Sequence, residues 1–272
     1  MIELRRAETD ADLEAWIRVR RAILPNESGG TVERLREQAR KPELLLLVAE
    51  LEGELAGSGL AKLSDLGDRL AVKPRVLPEA RRRGVGAALM CELVAHASQF
   101  DVDKVSTMLE EEAARGFAER FGFRESDRQL EQVKTLGDEL APPSLPEGVE
   151  VVTVAERPEL LREAYPLACQ GFADLATEGP ARISLDDWLH DEATLPEGSF
   201  VALAGGEIVG YSGLVEHDNE GVAEDGLTVV RRDWRRRGLA LALKRLELVW
   251  AAQHGYARSS PGRSAETTAC AA

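Results

Sequence analysis

Two stretches decide how this chain is organised: "PEARRRGVGAAL" at residues 78–89 and "RDWRRRGLALAL" at residues 232–243. They superimpose at an offset of 154 residues, which places Arg81, Arg82, Arg83 and Gly84 on Arg235, Arg236, Arg237 and Gly238. Each follows a β-branched strand end and opens into an apolar helical pattern. A repeat of this length predicts two duplicated domains, because solenoid repeats have much shorter periods.

The local chemistry of both turns favours an anion. A helix start has unpaired N–H groups and a partial positive charge, and small residues such as Gly84 and Gly86 let phosphate oxygens approach those amides. The neighbouring arginines add forked donors suited to phosphate. We therefore predict a pyrophosphate cradle in each half. The fingerprints of dinucleotide-binding and Walker-type loops are absent from the sequence.

Composition limits the classes of function. The 272 residues carry a formal net charge of -14, which disfavours nonspecific binding of nucleic acid or anionic membrane as the main activity. The three cysteines show no metal-ligand or redox spacing, and no apolar run is long enough to span a bilayer. We expect a cytoplasmic protein without a metal cofactor and without nucleic-acid or membrane partners.

The segment "LAPPSLPEGVE" (140–150) has the composition of an interdomain linker. We predict a first domain at 1–140, a linker at 141–149, a second domain at 150–256 and an aberrant or disordered tail at 257–272. Each domain reads as helices, a strand hairpin, a further strand, the arginine-rich turn and a helix. In the first domain, "DKVSTML" is predicted as the next strand and "ESDRQLEQVKTL" as the closing strands.

The order strand, Arg-x-x-Gly-x-Gly/Ala, helix resembles the acyl-CoA signature of the GNAT superfamily of N-acetyltransferases, and the duplication is similar to that of tandem GNAT proteins. The resemblance implies an α+β fold with a mixed, mostly antiparallel sheet flanked by helices in each domain. It also implies acetyl-CoA as the acyl donor, held between splayed strands. The residues that it assigns to the donor are Val76, Leu77, Arg81, Arg82, Arg83, Gly84, Val85, Gly86, Ala87, Val229, Val230, Arg235, Arg236, Arg237, Gly238, Leu239, Ala240 and Leu241.

Catalytic side chains are harder to assign. In "FAERFGF" the tyrosine acid that the resemblance implies falls at Ala118, so the first domain lacks it. Glu224 and Asp225 precede the second turn and are the candidates for a base or an ammonium partner, with solvated turn acids as the alternative. The acids Glu110–Glu112 are interpreted as ordinary partners of a helix N-terminus.

The ending "ARSSPGRSAETTACAA" departs from the first half, since 34 residues follow Gly238 whereas 58 separate Gly84 from Pro142. We expect the second copy to lack its splayed strand and last strands, with a homodimer covering the exposed edge. A one-base frameshift near Ala257 is one hypothesis, because permitted codons chosen from Arg258 onward and re-read from the third base of each codon encode Val-Val-Thr-Trp-Thr-Gln-Arg-Gly-Asn-Asp-Gly-Met-Arg-Arg. A disordered low-complexity tail is the alternative, and DNA sequencing separates the two.

The expected function is transfer of an acetyl group from acetyl-CoA to the amine of a small molecule. Two other functions stay open: a noncatalytic acyl-CoA binding or sensing protein, and an inactive truncated acetyltransferase. We expect donor binding mainly in the first domain.

Overall fold

The computed structural model describes residues 1–25, 30–64, 68–109, 111–126, 134–136, 143–175, 183–217, 219–256, 258–261 and 269–271. The chain divides into two compact units. Unit 1 comprises residues 1–64, 68–129 and 266–272, and unit 2 comprises residues 65–67 and 130–265. The segment predicted as a linker, 141–149, thus falls within unit 2. In the described ranges, none of the helices combines the length and the apolar character needed to cross a membrane.

Unit 1 is a seven-stranded sheet with helices packed on its faces. Its strands lie in the order β1-β2-β3-β4-β5-β13-β6, and only β4 and β5 run parallel. The elements are β1 (Ile2–Arg6), α1 (Asp10–Ile23), α2 (Val32–Gln38), β2 (Leu45–Leu51), β3 (Glu54–Leu63), β4 (Arg69–Val76), α3 (Val85–Ala97), β5 (Lys104–Thr107), α4 (Arg115–Arg120), β6 (Arg124–Glu125) and β13 (Ala269–Ala271).

Strand β2 shows why this sheet is covered on both faces. Its successive residues are nearly all buried, and they alternate between two clusters of apolar side chains. Leu45 and Leu47 belong to the cluster that includes α3, whereas Leu46 and Val48 belong to the cluster of α1 around Trp16. A strand with two apolar faces therefore sets the layer order of helix, sheet and helix.

Strands β4 and β5 separate after three residue pairs. The parallel pairing covers only Arg69–Ala71 and Lys104–Ser106. Pro74 lies beyond that point while keeping regular register with Gly59 on β3. The proline predicts a bulge or an edge, and the structure has an edge that begins where β5 diverges.

Unit 2 repeats this plan with six strands in the order β7-β12-β11-β10-β9-β8, in which only β11 and β12 are parallel. The elements are β7 (Lys134–Thr135), β8 (Val149–Thr153), α5 (Glu159–Glu163), α6 (Tyr165–Leu175), α7 (Leu185–Asp191), β9 (Phe200–Ala204), β10 (Glu207–Glu216), β11 (Val222–Val230), α8 (Leu239–Gln253) and β12 (Arg258–Pro261). Strands β1 and β8 were not predicted from the sequence, and each of them lies at one edge of its sheet.

The ends of the two sheets correct two predictions. A splayed strand was expected to be missing from unit 2, but β12 follows α8 and pairs in parallel with Val222–Asp225 of β11. The closing strands of "ESDRQLEQVKTL" were expected in one sheet. Instead β6 lies in the sheet of unit 1 and β7 pairs with β12 in unit 2, while the tail strand β13 lies between β5 and β6. Local sequence could not reveal these pairings, because they join segments far apart in the chain.

Candidate functional site

The arginine-rich turn has the same backbone conformation in both units. Arg82 and Arg236 have φ angles of 63° and 65°, and Gly84 and Gly238 have φ angles of 92° and 82°. A left-handed arginine is uncommon and costs free energy, so its occurrence at the same place in both copies indicates a constrained turn. Alternating residues of this kind turn successive backbone N–H groups toward one concave surface, which is an anion-binding arrangement.

The helix that follows each turn adds further amides. The first intrahelical bond of α3 runs from the N–H of Ala88 to the carbonyl of Gly84, and the first of α8 runs from Ala242 to Gly238. The amides of residues 85–87 and 239–241 therefore precede the helical ladder and are available to an anion. The side chains of Val85 and Leu239 are buried, so these two residues can contribute only backbone donors.

A cavity of about 560 Å³ lies in unit 1 where β4 and β5 separate. Pro74 to Val76 line one wall and Thr107 to Leu109 the other, and α4 closes it with Phe117 and the buried Ala118. Six of the residues predicted to bind the acyl donor line this cavity: Val76, Arg81, Arg82, Gly84, Gly86 and Ala87. Leu77, Arg83 and Val85, which were also predicted to bind it, are not among the lining residues.

The three arginines of each turn have different roles. Arg81 and Arg235 bond the carbonyls of Val76 and Val230 through Nε, at 3.2 and 3.0 Å. Arg83 forms an ion pair with Glu52 at 2.9 Å, and Arg237 stacks on Trp234 with its Cζ 4.5 Å from the ring centroid. The middle arginines, Arg82 and Arg236, have no side-chain partner in the part of the chain that the structure describes.

The model of the acetyltransferase (GNAT) family matches the chain twice, over residues 11–123 and 159–269. This chain belongs to the GNAT family of acetyltransferases. The second match includes most of the tail. The tandem GNAT arrangement that the repeated turns predict is therefore confirmed.

Among the similar proteins is the mycothiol acetyltransferase of Streptomyces coelicolor, 31% identical over 220 residues, which cover 79% of this chain and 69% of that protein. The mycothiol acetyltransferase of Streptomyces bingchenggensis is 30% identical over 75% of this chain and 67% of its own. Two solved structures share the fold. A GCN5-related N-acetyltransferase from Sphaerobacter thermophilus has a TM-score of 0.72 and 24% identity, covering 96% of this chain and 85% of that one. A tandem GNAT protein from the clavulanic acid biosynthesis pathway has a TM-score of 0.71 and 20% identity, covering 97% and 90%.

The predicted acids of the second GNAT unit lie near the point where β12 leaves β11. Asp225 is the last residue of β11 paired with β12, and its Oδ1 is 3.5 Å from Nζ of Lys244 on α8. Glu224 is half-buried on the same strand. Lys244 therefore competes with any substrate ammonium for Asp225. In unit 1, Glu110 lies outside the described residues, and Glu112 pairs with Arg115.

Sequence reasoning missed a half-buried acid of unit 2 whose carboxylate is enclosed by the strands. Glu192, just after α7, accepts hydrogen bonds at Oε1 from the N–H of Leu227 at 3.0 Å and the hydroxyl of Tyr211 at 3.2 Å. A Cβ on Gly213 or Gly226 would lie within 2.2 Å of that oxygen, so the two glycines make room for the carboxylate. Burial raises the pKa of Glu192 to about 7, although both hydrogen bonds oppose the shift.

The position of Glu192 in the fold explains why no sequence motif pointed to this residue. The register of β10 and β11 shifts between Ser212 and Leu214, so Leu227 sits in an irregular part of the ladder. The partners of Glu192 are 19 and 35 residues away in the chain. The weak sequence signal is the pair Gly213 and Gly226, two glycines inside strands, which often mark a bulge or a close approach.

A second buried acid, Glu247, lies on the inner face of α8. It is fully buried, and its Oε2 is 3.0 Å from Nζ of Lys244. Burial raises the pKa of Glu247 to about 8, and Lys244 opposes that shift. Among the described residues, no group of three or more His, Cys, Asp or Glu side chains is placed to hold a metal ion.

Proposed function

We propose that this protein transfers an acetyl group from acetyl-CoA to the amine of a small molecule, and that unit 1 binds the donor. The observation that carries the proposal is the cavity between β4 and β5, which opens at the turn containing Arg82 and Gly84. Its walls are largely apolar near Met90 and Phe117 and basic near Arg81 and Arg82. This distribution suits an uncharged thioester arm joined to a polyphosphate.

The chemistry needs few groups once the two substrates are aligned. The neutral amine nitrogen attacks the thioester carbonyl, the C–N bond forms and the C–S bond breaks, and the surplus proton of the nitrogen ends on the thiol sulfur. Alignment in the slot supplies much of the acceleration. In unit 1, the cavity lining has Ala118 where the family resemblance implies an acid, so the leaving sulfur has no phenol at that position.

For any acetyl-CoA that unit 2 binds with lower affinity, the acids of that same unit are the proton acceptors that we propose for the amine. Glu224 and Asp225 were assigned from sequence, and Glu192 joins them because its pKa of about 7 suits an acceptor near neutral pH. Glu192 bonds the hydroxyl of Tyr211, which packs with Trp188 in the same apolar cluster, whereas Lys244 of α8 is 3.5 Å from Asp225. Two hydrogen bonds therefore hold Glu192, whereas Asp225 faces the lysine.

A noncatalytic acyl-CoA binding protein is the second candidate. Ala118 favours it, and so does the pairing of Glu111 with Arg81, because these leave the unit 1 cavity without an unpaired carboxylate among its described lining residues. Such a protein would bind acetyl-CoA without turning it over on any amine.

Calorimetric titration with acetyl-CoA, followed by a thiol-release assay with a panel of amines, separates these functions. We expect one tight donor site that Arg82→Ala weakens and Arg236→Ala leaves nearly unchanged. Thiol release with at least one amine supports the transferase, and binding without release supports the sensor. Two equally tight sites, or no binding, would contradict the assignment of the donor to unit 1.

We propose that the protein is located in the cytoplasm. We also propose that it binds no metal, nucleic acid or membrane. The free thiols of Cys91 and Cys169 suit a reducing compartment. A homodimer that covers unit 2 also remains a proposal, and light scattering across a concentration series would test it.

A further inference from the structure

The first arginine of each turn is held at both ends of its guanidinium group. Its Nε bonds the carbonyl at the end of the preceding strand, Val76 for Arg81 and Val230 for Arg235. This bond fixes the direction of the side chain. The terminal nitrogens remain, and they are the donors that a phosphate would use.

A carboxylate accepts hydrogen bonds from both terminal nitrogens of Arg81 in unit 1 and from one of them, Nη2, of Arg235 in unit 2. In unit 1, Nη1 and Nη2 of Arg81 bond the two oxygens of Glu111 at 3.2 and 3.1 Å, in a two-pronged contact. In unit 2, Nη2 of Arg235 bonds Asp174 at 2.5 Å, and Arg232 bonds the other oxygen at 2.6 Å. Both arginines therefore already bind an anion supplied by the chain itself.

The two carboxylates come from different parts of the two units. Glu111 follows β5 and precedes α4, so it lies downstream of its turn. Asp174 lies on α6, upstream of its turn. The two carboxylates therefore do not occupy equivalent positions of the repeat. Even so, each carboxylate bonds the first arginine of its own turn.

The position of Glu111 connects this pair to the slot. Arg81 and Glu111 both line the cavity of unit 1, one beside the wall formed by β4 and the other beyond β5. The pair is 40% and 51% exposed, and exposed ion pairs of this kind are weak and sensitive to salt. An entering polyphosphate can therefore displace the carboxylate without disturbing the Nε bond.

We propose that Glu111 and Asp174 are built-in competitors for the donor phosphates, so that each lowers the affinity of its unit for an anionic ligand. The inference rests on the proposed function. A purely structural role makes the opposite prediction: if the carboxylate served to aim the arginine, its removal would weaken binding. The bond from Nε to the strand carbonyl makes that role unnecessary, since it already aims the side chain.

The test is calorimetric titration of wild type, Glu111→Gln and Glu111→Ala with acetyl-CoA, and with inorganic pyrophosphate as a probe for the phosphate contacts alone. Glu52→Gln is the matched control, because Glu52 pairs with the neighbouring Arg83, is similarly exposed and does not line the cavity. Like Glu111→Gln, the Glu52→Gln variant removes one negative charge near the turn. We expect both Glu111 variants to bind acetyl-CoA about two- to fivefold more tightly than wild type and Glu52→Gln.

Higher salt should shrink the gain of the Glu111 variants, because the competing ion pair is screened. Asp174→Asn is the corresponding variant in unit 2. Arg236→Ala identifies pyrophosphate binding at the turn of unit 2, because it should weaken that binding. Asp174→Asn should strengthen the same binding. Since Glu111 and Asp174 are exposed, thermal melts of the variants should match wild type.

The outcomes are distinguishable. If wild type binds acetyl-CoA and the Glu111 variants bind equally or less tightly, the competitor role is wrong and the proposed function stands. A gain of the same size in Glu52→Gln would also overturn it, because the effect would then be general charge. If only the Glu111 variants bind, the inference is supported in its strongest form. If no variant binds acetyl-CoA or pyrophosphate, both the proposed function and the inference fail.

Discussion

Replacing Glu247 with leucine should stabilise unit 2, and the gain should depend on pH. Unit 1 supplies the precedent, because Leu93 lies nine residues after Gly84 just as Glu247 lies nine residues after Gly238, and both are fully buried. In unit 1 the position belongs to the apolar core around α3. In unit 2 it holds a carboxyl group whose pKa burial raises from 4.5 to about 8.

The magnitude follows from linkage. A folded-state pKa above the unfolded value means that the folded state binds more protons between pH 4.5 and 8, so wild-type stability falls as pH rises through this range. At pH 7 the unfolded carboxyl is ionised and the folded one is largely protonated. At 1.36 kcal/mol per pKa unit, the cost at pH 7 is about 3 kcal/mol. At pH 5 the same arithmetic leaves roughly 1 kcal/mol or less.

Urea denaturation followed by tryptophan fluorescence measures the effect, because Trp188, Trp234 and Trp250 report on unit 2. The free energy of unfolding of Glu247→Leu should exceed that of wild type by about 2–4 kcal/mol at pH 7 and by much less at pH 5. Glu163→Leu, at an exposed position of α5, is the control and should change little. A gain equal at both pH values would refute the ionisation argument, and a loss would mean that the ion pair with Lys244 outweighs the burial cost.

Three further changes test the site and its support. Arg82→Ala should weaken acetyl-CoA binding about tenfold in calorimetry, because it removes a charged donor at the slot, whereas Arg83→Ala should have a smaller effect; equal losses would contradict the distinct roles of the two arginines. Ala118→Tyr should raise thiol release in unit 1 if the tyrosine hydroxyl reaches the leaving sulfur, and Ala118→Phe, of similar size, should not; matching rates in the two variants would exclude an acid at this position. Gly57→Ala should destabilise unit 1 by about 1–3 kcal/mol in urea, because the new Cβ would lie 2.5 Å from the backbone carbonyl oxygen of Arg75; unchanged stability would mean that β4 can shift.

The two arginine-rich turns combine features that adjacent residues determine with contacts that only the fold determines. The left-handed glycines, the helix starts and the apolar strand ends were all predictable, because each depends on residues adjacent in the chain. The unequal roles of the three arginines were not. Arg81 finds Glu111 30 residues away, and Arg235 finds Asp174 61 residues away, and neither pairing has a local signature.

The sequence by itself determined the duplicated architecture and the anion-binding turns, because a long repeat and a helix start with flanking glycine are encoded in contiguous residues. Only the tertiary structure decided which strands complete each sheet, since β7 and β13 pair with segments far from them in the chain. Tertiary structure also decided which carboxyl groups are enclosed by the protein. Glu192 and Glu247 look like ordinary charged residues in the sequence, and their raised pKa values arise from strands and helices that pack around them.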